Sequence, residues 1–302
     1  MRLLALKIDI DTYRGTREGV PQLVEALKRH NANATFLWSL GSDHTGRAIK
    51  RVFRPGFMKK VSRTSVLEHY GWKTLMYGTL LPGPDIGKRC ASIMRDVAAQ
   101  GFENGIHTWD HVRWQDGVVN ADAAWTGAEL TAAVERYQAI FDEQPLTHGA
   151  AGWQMNPHAY RLEQRLGFRY ASDGRGTHPY WPVVNGELVR VPQLPTTLPT
   201  LDELIGVDGI NVLNVDTHVL KLTETALPTG HVYTLHAELE GMKLLPVFER
   251  LLAGWTEQGY KLVSVGELFD TLDLQALPYH RVEMGEITGR SGELALQGAV
   301  FP

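Results

Sequence analysis

Strand–helix alternation along most of the 302 residues predicts an α/β fold on a parallel sheet, open or closed into a barrel. Three observations carry that expectation. Short β-branched or apolar runs recur along the chain, amphipathic helical stretches separate them, and chemically useful side chains stand where several of the runs end. Sheets of this kind bind ligands at the carboxyl ends of their strands. Asp9 and Asp11 after the first run, His107 after a middle one and His236 after a late one are therefore expected at one rim.

Leu3 to Ile10 is the first predicted strand, apolar enough to be buried on both faces, with Lys7 and Asp9 interrupting it. The interruption comes too early for the core of a signal peptide. Gly19 to His30 follows as a helix, with Val20, Leu23, Val24 and Leu27 on one face. Ala34 to Leu40 is the next strand. Ile86 to Gln100 is helical and Phe102 to His107 extended; Gly127 to Phe141 and Pro157 to Leu166 are helices around a short strand at Leu146 to Ala150. Phe168 to Ser172, Ile210 to Val215, Val232 to His236 and Leu262 to Val265 complete the strands. Pro246 opens the last long helix, to Gln258, in the turn that tolerates proline. The expected organisation is one domain over 1–302, with an insertion at about 42–84.

With 43% hydrophobic and 21% charged residues, the chain has material for one large core. A net charge of −4 gives no general attraction to nucleic acid or anionic lipid. Cys90 is the single cysteine, which excludes an intramolecular disulfide and a cysteine zinc cage. No uncharged apolar run is long enough to span a bilayer.

His107-Thr108-Trp109-Asp110-His111 places two histidines four apart, a spacing that on a helical turn lets both hold one cation. Thr108 stands where a zincin has its glutamate base, so any base must come from elsewhere. Asp9 and Asp11 supply candidates: one acid can complete a 2-His-1-carboxylate set and the other accept a proton from water. Such a set suits zinc, cobalt, manganese or nickel. His236 ends an apolar strand and can protonate a leaving amine. Two other readings are weighed against these residues. Asp-x-Asp after a first strand is also the nucleophile motif of haloacid-dehalogenase-like phosphohydrolases, with Asp9 attacking, but Tyr13 departs from that motif and the histidines are left unexplained. A non-catalytic lipid-binding protein needs neither Asp9 nor His236.

The ordered set resembles the polysaccharide-deacetylase (NodB-homology, carbohydrate esterase family 4) enzymes over about residues 1–270. Asp9-Ile10-Asp11 is similar to that family's first motif, His107 to His111 to its second, and Leu235-His236 to its last. The resemblance implies a distorted (β/α) barrel of about seven parallel strands and a metal-dependent amide hydrolase. Asp9 would be its general base, Asp11, His107 and His111 its metal ligands, and His236 its general acid. The family's third motif carries an arginine that holds the catalytic aspartate. The corresponding His148-Gly149-Ala150-Ala151-Gly152-Trp153 has none, and Arg175 is the candidate replacement.

Between Arg47 and Lys73, the basic residues Arg47, Lys50, Arg51, Arg54, Lys59, Lys60, Arg63 and Lys73 face a single acid, Glu68. Phe53, Phe57, Tyr70 and Trp72 are interleaved. A basic, aromatic segment in an acidic protein fits an anionic membrane surface, or a solvated helix packed on the barrel. Residues 7–16 and 192–203 are similar to a branch of the family that removes formate from an amino sugar carried on undecaprenyl phosphate. That resemblance implies a lipid-linked formamido sugar as partner, a role in lipid A modification and polymyxin resistance, and a peripheral position on the cytoplasmic face of a bacterial inner membrane.

Overall fold

The computed structural model describes residues 2–48, 72–290 and 292–302. Strand β1 (Arg2–Ile10) is buried from Leu4 onward, and a π-helical turn (Gly15–Gly19) leads into α1 (Val20–Arg29) and β2 (Thr35–Ser39). Helices α2 (Ile86–Arg89) and α3 (Ala91–Ala99) break at Cys90, followed by β3 (Glu103–Thr108), α4 (His111–Gly117), α5 (Ala123–Phe141) and β4 (Thr147–His148). Next come α6 (Pro157–Leu166), β5 (Tyr170–Ala171), β6 (Trp181–Val184), β7 (Glu187–Leu188), α7 (Leu201–Leu204) and α8 (Val215–Leu222). The chain ends through β8 (His231–His236), α9 (Leu245–Glu257), β9 (Tyr260–Val263), α10 (Val265–Phe269), β10 (Tyr279–Gly285) and β11 (Leu294–Val300).

Seven strands form one parallel sheet, in the order β5-β4-β3-β2-β1-β8 with β9 also on β1. β1 is its hub. β8 runs along one edge from Leu4 to Asp9, while the other edge is shared by β9 at Arg2 to Ala5 and β2 at Lys7 to Ile10. The ring closes through an irregular strip at 192–197. Leu194 donates to Ala171 O at 2.8 Å and Thr197 to Val232 O at 3.0 Å, which joins β5 to β8. Leu4, Leu6, Ile8 and Ile10 are wholly buried, because helices cover the outer face and side chains fill the inner one.

β6, β7, β10 and β11 build a second sheet, ordered β11-β10-β6-β7. It is sewn to the barrel where Arg175 donates to Ala295 O and Gln297 donates to Arg175 O. The sequence pattern gave no sign of β10 and β11. The predicted strand at Ile210 to Val215 is a turn leading into α8. Its apolar residues alternate well enough, but Asn211 and Asn214 bond locally instead (Asn211 N to Asn214 Oδ1 at 2.7 Å, Leu213 N to Asn211 Oδ1 at 2.9 Å), and Leu213 is exposed. Among the described residues no helix is long and apolar enough to cross a membrane.

Candidate metal centre and its surroundings

Asp11, His107 and His111 converge at the carboxyl rim of the barrel. Their convergence corrects one expectation, since the two histidines do not share a helical turn. His107 lies within β3, Asp110 caps the next helix by accepting from Arg113 N, and His111 is that helix's first residue. The strand-to-helix corner brings the rings to 5.3 Å, 29° apart.

Asp11 Oδ1 is 3.2 Å from His107 Nε2 and 3.4 Å from His111 Nε2, is buried, and accepts no hydrogen bond. Donor atoms about 2.1 Å from one ion lie roughly 3.0–3.4 Å apart in octahedral or tetrahedral geometry, so the spacing suits a shared cation. His107 Nδ1 is 2.6 Å from Gly149 O, which can only accept; the ring proton is thereby held on Nδ1, and Nε2 turns its lone pair to Asp11. These residues fit a divalent ion. Burial opposes charge on Asp11, but His111, then His107 and His236, hold its carboxyl well below the usual range.

Asp9 and His236 are register partners on β1 and β8, so their side chains leave the sheet on the same face. Asp9 Oδ1 is 3.9 Å from His107 Nδ1 and lacks a hydrogen bond; His236 Nδ1 is likewise buried and unpaired. Burial works against a charged His236, yet Asp11, then Asp202, Asp9 and Glu240, outweigh it and raise the imidazole to about 9. Lys7, two residues before Asp9 on the same face, is wholly buried, with Nζ 3.7 Å from Asp9 Oδ2 and 2.8 Å from Ser172 O. Burial lowers its pKa, and Asp9 and Asp173 pull in the opposite direction.

Glu238 ties the loop after β1 to β8. Its Oε1 accepts from Asp11 N, Thr12 N and Thr12 Oγ1 at 3.1, 2.8 and 2.7 Å. Burial, then the charge of Asp11, pushes it to about 8. The root of the 42–84 insertion is fastened to the same rim: Tyr13 N donates to Asp43 Oδ2 at 2.9 Å, and His44 Nδ1 is 2.6 Å from Asp110 Oδ2. Arg47 lies near this root and donates to Gly78 O. Lys50, Arg51, Arg54, Lys59, Lys60 and Arg63 lie outside the described residues.

Arg175, the candidate replacement for the third-motif arginine, is engaged with Glu203: its guanidinium grips that carboxylate at 2.8 and 2.9 Å, donates to Leu198 O and lies over Trp153, and its side chain is largely enclosed. A second histidine–carboxylate group, His148, Glu163 and Asp173, is entirely buried between α6 and the ends of β4 and β5. There His148 Nδ1 is 2.7 Å from Glu163 Oε1 and 2.8 Å from Asp173 Oδ1. Lys7, Glu238 and this group all escaped sequence reasoning. Lys7 had a usable signal, the period-2 face it shares with Asp9 and Asp11.

The barrel fold is that of the polysaccharide deacetylases. The crystal structure of a Mycobacterium smegmatis protein assigned to them superposes with a TM-score of 0.61 at 17% identity, over 95% of this chain and 96% of its own. A probable polysaccharide deacetylase from Pseudomonas aeruginosa PAO1 gives 0.58 at 15%, over 88% and 89%; at such identities the likeness is one of fold. No protein-family model matches the chain. A probable 4-deoxy-4-formamido-L-arabinose-phosphoundecaprenol deformylase from Shewanella sediminis is 40% identical over 99% of this chain and 95% of its own length. Its counterpart from Wigglesworthia glossinidia brevipalpis is 31% identical over 95% and 99%. The chain belongs to this family of deformylases and is an amide-hydrolysing enzyme.

Proposed function

We propose that the protein hydrolyses the formamide of 4-deoxy-4-formamido-L-arabinose carried on undecaprenyl phosphate, in a metal-dependent reaction that releases formate and the free aminoarabinose lipid. The observation that carries this reading is the pairing of Asp9 with His236 across β1 and β8, beside the open Asp11–His107–His111 set. Asp11, His107 and His111 would hold one divalent ion. When bound, that ion supplies Lewis acidity, which acidifies water and polarises a carbonyl.

Asp9 accepts the proton of the attacking water. His236, charged because its acidic neighbours favour the imidazolium, donates to the amine nitrogen as the C–N bond breaks. Formate leaves with the carbonyl carbon, and the protons gained by Asp9 and lost by His236 exchange with solvent.

Residues 1–302 act as one catalytic unit, and the basic, aromatic residues of 42–84 serve to bind the anionic lipid carrier. Trp72 and Leu80, within that insertion, are exposed at 61% and 78%, and its root contacts Tyr13 and Asp110, neighbours of the ligand residues. This arrangement supports a peripheral position at a membrane surface, which on this reading is the cytoplasmic face of the inner membrane. The product would then serve lipid A modification and resistance to polymyxin. Mass spectrometry of the lipid-linked formamido sugar, incubated with purified protein, tests the reading. A loss of 28 mass units with formate release is expected for exchange of formyl for hydrogen; unchanged substrate with metal-loaded protein would sink it.

A further inference from the structure

We propose that Lys7 is the positioning residue of the catalytic aspartate, supplying from β1 the cation that family members take from their third motif; this rests on the proposed role of Asp9 as base. The third-motif segment here contains Gly149, and the space left by its missing side chain is the space Lys7 fills. A Cβ at Gly149 would come within 2.9 Å of Lys7 Cε and would also strike Leu37 Cδ1. Gly149 thus does two jobs: its carbonyl orients His107, and its bareness admits the lysine stem.

Once inside, the ammonium is fixed from three sides. It donates to Ser172 O at 2.8 Å, lies 5.5 Å from the Trp153 ring centroid, and reaches Asp9 Oδ2 at 3.7 Å. The other Asp9 oxygen stays free of hydrogen bonds, which suits an oxygen that must take a proton. A cation held on one carboxylate oxygen sets the direction of the second. Burying a lysine in an otherwise apolar strand is costly, and replacement by an apolar side chain of similar length is commonly tolerated when the partner charge goes too. A lysine buried here at that cost, with its ammonium against Asp9, points to work done through Asp9.

A double-mutant cycle on metal-loaded full-length protein tests this. Lys7→Met should lower kcat about a hundredfold, the cost of a displaced catalytic group, with KM and metal content near wild type. Lys7→Arg should recover most of that loss. On an Asp9→Asn background, Lys7→Met should cost nothing further, because the residue it positions is already gone. In parallel, the denaturation midpoint should fall for Lys7→Met, which strands a carboxylate, and recover in the double variant. A wild-type kcat in Lys7→Met, or losses that multiply across the two sites, would overturn the proposal. If the wild type releases no formate, it is the deformylase reading that fails. The midpoints still report on the Lys7–Asp9 pairing, and independent midpoints would then overturn it.

Discussion

Two groups of imidazole and carboxylate stand in this barrel, built from the same ligand types and suited to opposite tasks. At the rim, Asp11 lies 3.2 and 3.4 Å from its histidine nitrogens, with a partly exposed His111. Around His148 the distances are 2.7 and 2.8 Å, hydrogen-bond lengths that leave no room for an ion, and no member reaches solvent. Asp173 is further satisfied by Ala150 N and Gln193 Nε2. The first group is spaced for a cation and the second is closed around protons. A few tenths of an ångström and access to the rim separate the two, so composition alone cannot distinguish them.

Four experiments press on this difference, beginning with the largest effect. Chelation, or His107→Ala with His111→Ala, should abolish turnover and metal content while the fold persists; His148→Gln should leave metal content unchanged by elemental analysis. A metal lost on mutating His148 would break the comparison. Asp9→Asn should next lower kcat by about a thousandfold with the metal retained, whereas Asp11→Asn should release it. The reverse pattern would exchange the roles of the two acids.

The third effect is on stability. The folded protein holds His148 at about 10, since Asp173 and Glu163 overcome the burial that opposes its charge, and burial raises Glu163 as well. Both groups bind protons more tightly folded than unfolded. Their contribution is therefore complete below their unfolded pKa values and declines as pH rises towards the folded ones. For His148 the window runs from about 6.5 to about 10. Chemical denaturation should show stability falling by a few kcal/mol across it, and His148→Gln should flatten that slope. A slope unchanged by the substitution would mean the proton resides elsewhere. Smallest is Arg47→Ala, which should weaken binding to anionic vesicles by about 1 kcal/mol, lost at high salt, without touching the His148 group.

The strand ends that bear Asp9, Asp11, His107 and His236 were legible in the sequence because a parallel sheet sends all its carboxyl ends one way. The seven parallel strands follow from the same alternation together with the family resemblance. Lys7 was not legible, since a lysine in an apolar run looks like an interruption until the emptiness at Gly149 is seen. His148, Glu163 and Asp173 meet only after α6 is laid against β4 and β5, which no local spacing encodes. β10 and β11 escaped notice because half-exposed strands such as Tyr279–Gly285 carry little apolar periodicity.

The hub position of β1 has a kinetic consequence. Lys7 and Asp9 lie on the first strand of the sheet and Asp11 directly follows its end, yet the strand's edges are completed by β8 and β9 from the far end of the chain, with Leu4 opposite both His231 and Leu262. Contacts so distant in sequence close late, because the loop entropy must be met before the pairing rewards it. A shift of one residue during that closure would turn all three side chains away from the barrel interior. We expect ligand-field absorbance of cobalt, as a reporter of the rim, to return only with the slowest refolding phase of the sheet. Its return in an early phase would mean that the chelating corner matures before its hub strand is enclosed.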